Sequence, residues 1–267
     1  MVAISWRTGA AALAACASVS GENAAAAEGD GTGLKGFLLP ETGVHADVGA
    51  GLAAHPNHLG SRETVIDAVP VLEVQVGRDL HLSLDDGLTW TPVHWGKLAL
   101  GPVIEFRQDY SSPRLSRGLR HSDTFEAGGL AHLATSYGDF EARVRRSLDG
   151  DKTTSADLSY DAAIQWTPRL TLAFEARGSW SNEAFTIPPS NLRAGRRIIV
   201  TPATSKNEDF YAVGAQVAAI YRVNENWRVA ALASLDELVG AKSQYLALDT
   251  REVPEASVVA MRRFTLR

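Results

Sequence analysis

The chain has 267 residues and a formal net charge of −5. Its acidic balance, with an isoelectric point of about 5.8, gives no basis for nucleic-acid binding. Beyond the N-terminus no run of about 18 apolar residues occurs, which excludes a helical membrane span. A mean hydropathy of −0.09 does not exclude a membrane barrel, because barrel strands alternate lipid-facing with lumen-facing residues.

The first 30 residues, MVAISWRTGAAALAACASVSGENAAAAEGD, resemble an export signal. Arg7 precedes an Ala-rich apolar stretch, and small residues lead up to Glu28. The three alanines at 25–27 fit an Ala-x-Ala cleavage site. We therefore predict a signal peptide over 1–27, followed by a flexible segment over 28–40.

The only cysteine, Cys16, falls inside the predicted leader. If the leader is removed, the mature chain has no disulfide and no thiol chemistry. Leu13–Cys16 also resembles a lipoprotein cleavage box, so a lipidated Cys16 stays open as an alternative. The remaining residues, 41–267, are predicted to form one barrel domain.

From Val44 onward, apolar and polar residues alternate with period two, which indicates β-strands. The predicted strands are 44–52, 66–76, 80–85, 88–93, 98–107, 124–133, 140–148, 156–166, 170–180, 210–223, 227–236 and 256–266.

Short and long connections alternate along the chain, as they do between the two ends of an outer-membrane barrel. This holds if a turn at 85–87 divides 80–93 into two strands, and the count is then about twelve, with both termini periplasmic. If 80–93 is one bent strand, the alternation of short and long connections fails there, and the strand count stays open between 10 and 12. Short turns are expected at 77–79, 94–97, 136–139, 167–169 and 224–226, and longer connections at 55–64, 108–122, 149–155, 182–208 and 239–255.

Aromatic residues occur near both ends of the apolar faces. Trp166, Tyr221 and Trp227 lie beside short turns, whereas Trp180 and Tyr211 lie beside long loops. Two aromatic girdles are typical of a protein that crosses a membrane. We predict an all-β fold, a transmembrane antiparallel up-and-down β-barrel of about 12 strands, surrounded by the lipid of a Gram-negative outer membrane.

The faces opposite the apolar ones carry many charges, which we predict to line the lumen. Arg143 and Arg145 are expected to face Asp161 on the next strand. One interpretation is a salt-bridged interior, because buried charges must be paired; the other is a selectivity lining for small solutes. The first is favoured. The residues are Glu73, Glu105, Arg107, Glu126, Glu141, Arg143, Arg145, Asp161, Glu175 and Arg177.

No catalytic, cofactor or metal residues are predicted. His81 and Ser83 share one strand face as in some lipid hydrolases, but Leu84 follows where those enzymes carry Asn. The seven histidines lack the paired spacing of zinc sites. GAGLAA at 49–54 is not a phosphate loop, since no Lys-Ser/Thr follows it.

Several segments between 44 and 267 resemble the MipA/OmpV family of outer-membrane proteins. They are GSRETVIDAVPVLEVQVGRDLHLS, WGKLALGPVIEFRQD, DTFEAGGLAHLATSYGDFEARVRRSL and YDAAIQWTPRLTLAFEARGSWSNEAF. One departure is the chain end RRFTLR, where the family usually ends on an aromatic residue; Arg262 or Arg263 would be costly at mid-depth in lipid.

The resemblance implies a non-enzymatic platform in the outer membrane. Its expected partners are a murein lytic transglycosylase and a penicillin-binding peptidoglycan synthase. The alternative is a narrow channel for small polar solutes or antibiotics. A channel predicts a conductance that falls when Arg143 or Arg145 is replaced by a bulkier or oppositely charged residue.

Overall fold

The computed structural model describes residues 43–56, 61–84, 86–107, 124–148, 154–181, 210–239 and 250–266. The predicted leader, Cys16 and the segment 28–40 lie outside the described residues. Within the described residues, no helix is long and apolar enough to cross a membrane.

The described residues form β-strands joined by turns, with every strand antiparallel to its neighbours. In chain order the strands are β1 Val44–Pro56, β2 Thr64–Val76, β3 Leu80–Ser83, β4 Gly87–Trp90, β5 Val93–Trp95, β6 Leu98–Arg107, β7 Thr124–Thr135, β8 Gly138–Ser147, β9 Thr154–Thr167, β10 Leu170–Ser181, β11 Phe210–Arg222, β12 Trp227–Val239 and β13 Glu252–Leu266.

The sheet closes on itself as a barrel. β1 pairs with both β2 and β13, and β4 joins β3 to β6. Leu88 opposite Ile104 and Val93 opposite Leu100 differ in register by one residue, so β4 and β5 form one wall strand with an irregularity at 91–92. Counted this way the barrel has twelve strands, which confirms the predicted fold and the predicted turn between 80–83 and 87–90.

All tight turns except the β3–β4 turn lie at one end of the barrel, here called the short-turn end. Val44 pairs with Val76 on one side and with Leu266 on the other, so both ends of the described barrel lie there. The opposite end, called the loop end, is where β1, β6, β8, β10 and β12 end and the strands that follow them begin. The β3–β4 turn points to that side but stops short of the end, because β2 continues to Thr64 beyond the last β2–β3 pair, Glu73 and Ser83.

The wall is apolar outside and polar inside, the reverse of a soluble protein. On β8 the buried side chains are those of Asp139, Glu141, Arg143, Arg145 and Ser147, and the exposed residues include Phe140 and Val144; Leu148, just after the strand, is also exposed. Apolar outward residues recur on the other strands, including Leu52, Ile104, Leu158, Ile164, Val217 and Val258. An apolar outer band around a charged interior defines a transmembrane barrel.

Part of the inner wall is nonetheless apolar. Inward residues from β1, β2, β11, β12 and β13 pack together there. They are Ala53, Val69, Ile220, Ala230, Val259 and Met261. Most inward charges of the described wall lie opposite this patch, from β6 to β10, although β1, β12 and β13 also contribute the buried Asp47, Asp236 and Glu255.

β2 can contain Pro70 because the nitrogen of Pro70 faces the side on which no described strand pairs with β2 at that position. Leu84 N–H donates to Leu72 O at 3.2 Å, so the even-numbered residues of β2 point their backbone groups toward β3. The β2–β3 register ends at the pair of Glu73 and Ser83, and no described strand reaches Pro70 on that side. Its missing N–H therefore removes no ladder hydrogen bond.

Candidate functional site

Arg145 is the centre of a charged cluster on the inner wall. Its two terminal nitrogens bond Glu105 on β6 and Asp157 on β9, and its Nε lies 3.6 Å from Glu126 on β7. Arg145 stands opposite Gly128 in the β7–β8 register, so no side chain at that position separates it from β6. The guanidinium is nearly fully buried, and its three carboxylate neighbours compensate for the lost hydration.

Arg143 ties the β3–β4 turn to the inner wall. Its Nε donates to Glu141 at 2.7 Å, and its Nη1 lies 3.1 Å from the carboxylate and 3.3 Å from the carbonyl of Asp86. Asp86 N–H in turn donates to Ser83 Oγ at 2.7 Å. The contact of Arg143 with Asp86 joins β8 to a turn that lies three strands away in the wall. It holds this turn toward the lumen.

Arg177 and Asp236 form a bidentate ion pair that crosses β11. Arg177 Nε and Nη2 donate to the two carboxylate oxygens at 2.8 and 2.5 Å. Gly214 stands between them in register, and a Cβ at Gly214 would collide with Asp236 Oδ1. Glycine at this position therefore leaves the space in which the two side chains meet.

A further ion pair lies near the short-turn end. Asp47 on β1 accepts from Arg263 on β13 at 2.9 and 2.6 Å and from Arg228 on β12 at 3.1 Å. Arg263 thus points inward. Arg262 points outward beside Trp227, and its guanidinium lies 5.0 Å from the Phe264 ring centre, near the barrel end rather than at mid-depth.

The structure places most of the predicted lumen charges on the inner face. Glu126, Glu141, Arg143, Arg145, Glu175 and Arg177 are buried there, and Glu73, Glu105 and Asp161 are half-buried there. The Arg107 side chain lies outside the described residues; its backbone pairs with Thr124. The predicted meeting of Arg143 and Arg145 with Asp161 is wrong, because Asp161 pairs with Asp139 and the two arginines lie opposite Asp157 and Ser155.

The predicted interface aromatics lie on the outer face where their side chains are described. Trp166, Tyr221 and Trp227 are exposed near the short-turn end, and Trp180 is half-buried near the loop end. The Tyr211 side chain lies outside the described residues. Several exposed aromatics near the short-turn end were not predicted; the most exposed are Trp95 and Tyr137, at 82% and 85%.

Sequence reasoning also missed four inward carboxylates that hold or approach arginines: Asp47, Asp157, Asp236 and Glu255. Period-two alternation already assigns Asp47, Asp157 and Asp236 to the inward sets of their strands, which was the available signal. Glu255 lies just before the predicted strand 256–266, because the strand begins earlier, at Glu252. What alternation does not give is which residues meet across an intervening strand.

His81 contacts β2, and Ser83 closes the β3–β4 turn. His81 Nε2 lies 2.7 Å from Glu73 Oε2, and Ser83 Oγ accepts the Asp86 N–H. Among the described residues, no group of three or more His, Cys, Asp or Glu side chains could hold a metal ion.

The sequence profile of a known family, described as MltA-interacting protein MipA, matches residues 48–244. The chain belongs to the MipA family, as the resemblance predicted. No curated protein matches the chain.

Similar solved structures include an outer membrane channel from Pseudomonas putida F1, at 12% identity and a TM-score of 0.41, over 85% of this chain and 97% of that one. OmpT, an outer membrane protein of Vibrio cholerae, is similar at 7% identity and a TM-score of 0.40, over 83% of this chain and 96% of that one.

Proposed function

We propose that this protein is an outer-membrane platform that holds a murein lytic transglycosylase near a penicillin-binding synthase. The description of its family as MltA-interacting supports the first partner. An exported barrel places its tight turns in the periplasm, where the peptidoglycan lies. The short-turn end would therefore be the docking face.

The observation that carries the proposal is the composition of that face. It presents four exposed basic residues, Arg78, Lys97, Arg169 and Arg222, against the acidic Asp79, which pairs with Arg78, and Glu225, together with the exposed aromatic rings of Trp95 and Tyr137. Aromatic and arginine side chains are enriched at protein interfaces, and a basic surface favours an acidic partner. Arg222 Nη2 donates to Pro168 O at 2.5 Å, beside Arg169, which fixes part of this surface.

An affinity pull-down from envelope extract tests the platform. The detergent-solubilised protein is expected to recover a murein transglycosylase or a penicillin-binding synthase above an unrelated barrel. Recovery should fall in the variant Arg169→Glu with Arg222→Glu, but not in Arg146→Glu, whose exposed side chain lies near the loop end. Equal recovery by all the variants, or recovery of neither enzyme, would contradict the proposal.

A narrow channel for small polar solutes or antibiotics is the second candidate function. It is favoured by buried polar atoms of the inner wall that have no hydrogen-bond partner, such as Arg143 Nη2 and Glu255 Oε1, which a hydrated lumen would satisfy. In planar bilayers we expect a small conductance that decreases in Arg145→Trp. A barrel with no conductance would contradict the channel.

A further inference from the structure

Six inward residues on six neighbouring strands stand side by side in the register. Asp139 pairs with Asp161, Asp161 with Glu175, Glu175 with Gln216, Gln216 with Ser234, and Ser234 with Glu255. These six residues, here called the oxygen row, all carry side-chain oxygen, and neither Arg nor Lys occurs among them. Four of the six are carboxylates.

The oxygen row runs obliquely from one end of the barrel toward the other. Asp139 is the second residue of β8, beside the tight turn at 136–137. Glu255 is the fourth residue of β13, next to the loop-end connection. Strand tilt in a barrel makes a hydrogen-bonded row climb as it passes from strand to strand. The row therefore forms an inclined line of oxygen atoms on the inner wall.

Small residues accompany much of this line. The adjacent row on its short-turn side begins with Ala163, Ala173 and Ala218, which pair in that order across β9, β10 and β11. Their methyl side chains project little into the lumen, so short side chains line this side of the oxygen row, where Glu175 and Gln216 are 8% and 3% exposed. On the other side, Arg177 donates two hydrogen bonds to Asp236, and its Nη1 lies 3.8 Å from Glu175 Oε1.

Two buried oxygens, one in the oxygen row at its loop-end side and one beside it, have no hydrogen-bond partner. They are Glu255 Oε1 and Ser257 Oγ, on residues that are 8% and 4% exposed. Both residues point inward from the same strand. A buried carboxylate oxygen without a donor requires water or a positively charged ligand to offset its lost hydration.

We propose that the oxygen row is a path for small monovalent cations, which makes the lumen cation-selective. Carboxylate, amide and hydroxyl oxygens replace the hydration shell of an alkali or ammonium ion, and a line of carboxylates repels anions. The inference rests on the second candidate function, the narrow channel, and identifies what that channel passes.

Reversal potentials in planar bilayers under a potassium chloride gradient test the inference. The wild-type barrel is expected to favour K⁺ over Cl⁻. Glu255→Gln and Asp161→Asn should each lower this preference about sevenfold, because one unit charge about 7 Å away in a water-filled lumen changes the K⁺ and the Cl⁻ occupancy about threefold each, in opposite directions. The matched control is Glu252→Gln, which removes an exposed carboxylate from the same strand and should leave the preference unchanged.

The outcomes separate the inference from the function on which it rests. Conductance without cation preference, or with a preference that survives both substitutions, overturns the oxygen row and leaves the channel standing. A wild-type barrel that conducts nothing overturns both. Heat-modified mobility on gels verifies that each variant is a folded barrel, and the two substitutions on different strands guard against a failure of either one to assemble.

Discussion

Arg177 and Asp236 show how single residues set the interior of this barrel. Their guanidinium and carboxylate meet above Gly214, inside a wall whose outer face is apolar. Such pairs contribute little net stability compared with apolar packing, but removing one partner leaves an uncompensated charge. The buried arginines of the described wall are therefore better regarded as mutually dependent than as independently stabilising.

Gly214→Ala should lower the free energy of unfolding, because the added Cβ displaces the Asp236 carboxylate from Arg177. The expected loss is about 1–3 kcal/mol, measured by urea titration in lipid vesicles. Gly178→Ala on neighbouring β10 is the control, since its Cβ would have the Ala212 carbonyl oxygen at 3.9 Å as its nearest neighbour. Equal losses in the two variants would show that the ion pair does not depend on the missing side chain.

A double-mutant cycle on the same pair should show strong coupling. Arg177→Met alone is expected to cost about 3–5 kcal/mol, because Asp236 keeps its buried charge, while adding Asp236→Leu should recover a large part of that loss. The exposed pair of Arg78 and Asp79, 3.4 Å apart, should show coupling of only about 0–1 kcal/mol. Additive effects at Arg177 and Asp236 would mean that the pair is hydrated and not buried.

At the scale of elements, the alternation of apolar and polar residues predicts most of the strands and their order. It does not predict the β3–β4 hairpin. The alternation at 124–133 or 170–180 predicts both a strand and the face that turns inward. β3 and β4 have only four residues each, so the alternation there is too short to identify a strand. They were counted as two strands because short and long connections must alternate along a barrel. Their final position depends on Arg143, fifty-seven residues from Asp86 in sequence.

The sequence predicts which charged residues point inward, but it does not predict which of them contact each other. Arg145 reaches Glu105 across β7, and Arg177 reaches Asp236 across β11. These contacts depend on the register between adjacent strands and on glycines that leave room between them. A shift of register by two residues keeps every side chain on its face but changes all the partners. The expected pairing of Asp161 with the two arginines was wrong for this reason.

Arg143→Met should loosen the β3–β4 hairpin while leaving the rest of the wall intact. Without its contacts to Asp86, backbone amides of the hairpin should exchange hydrogen faster, as measured by mass spectrometry on vesicle-embedded protein. Arg146→Met provides the control, because Arg146 lies on the same strand but is exposed on the outer face. Unchanged exchange in Arg143→Met would indicate that β2 and β6 alone hold the hairpin.

At the scale of the molecule, the distribution of polarity unites these observations. The outer surface carries exposed residues such as Leu158, Val217 and Val258, while carboxylates and arginines fill much of the interior. An inside-out arrangement of this kind is stable only when the outer face meets lipid, because water would leave a broad apolar band exposed. The platform, the channel and the oxygen row all depend on this orientation of the wall.

Spin labels on pairs of neighbouring residues, one pair on β9 and one on β11, test this orientation most directly. In a chain carrying Cys16→Ser, the variants Val217→Cys and Leu158→Cys place the label outward, and Gln216→Cys and Ser159→Cys place it inward. In lipid vesicles the outward labels should be the more accessible to oxygen, which concentrates in lipid, and the inward labels the less so. Equal accessibility within each pair, or higher accessibility at Gln216 and Ser159, would contradict the lipid-facing barrel.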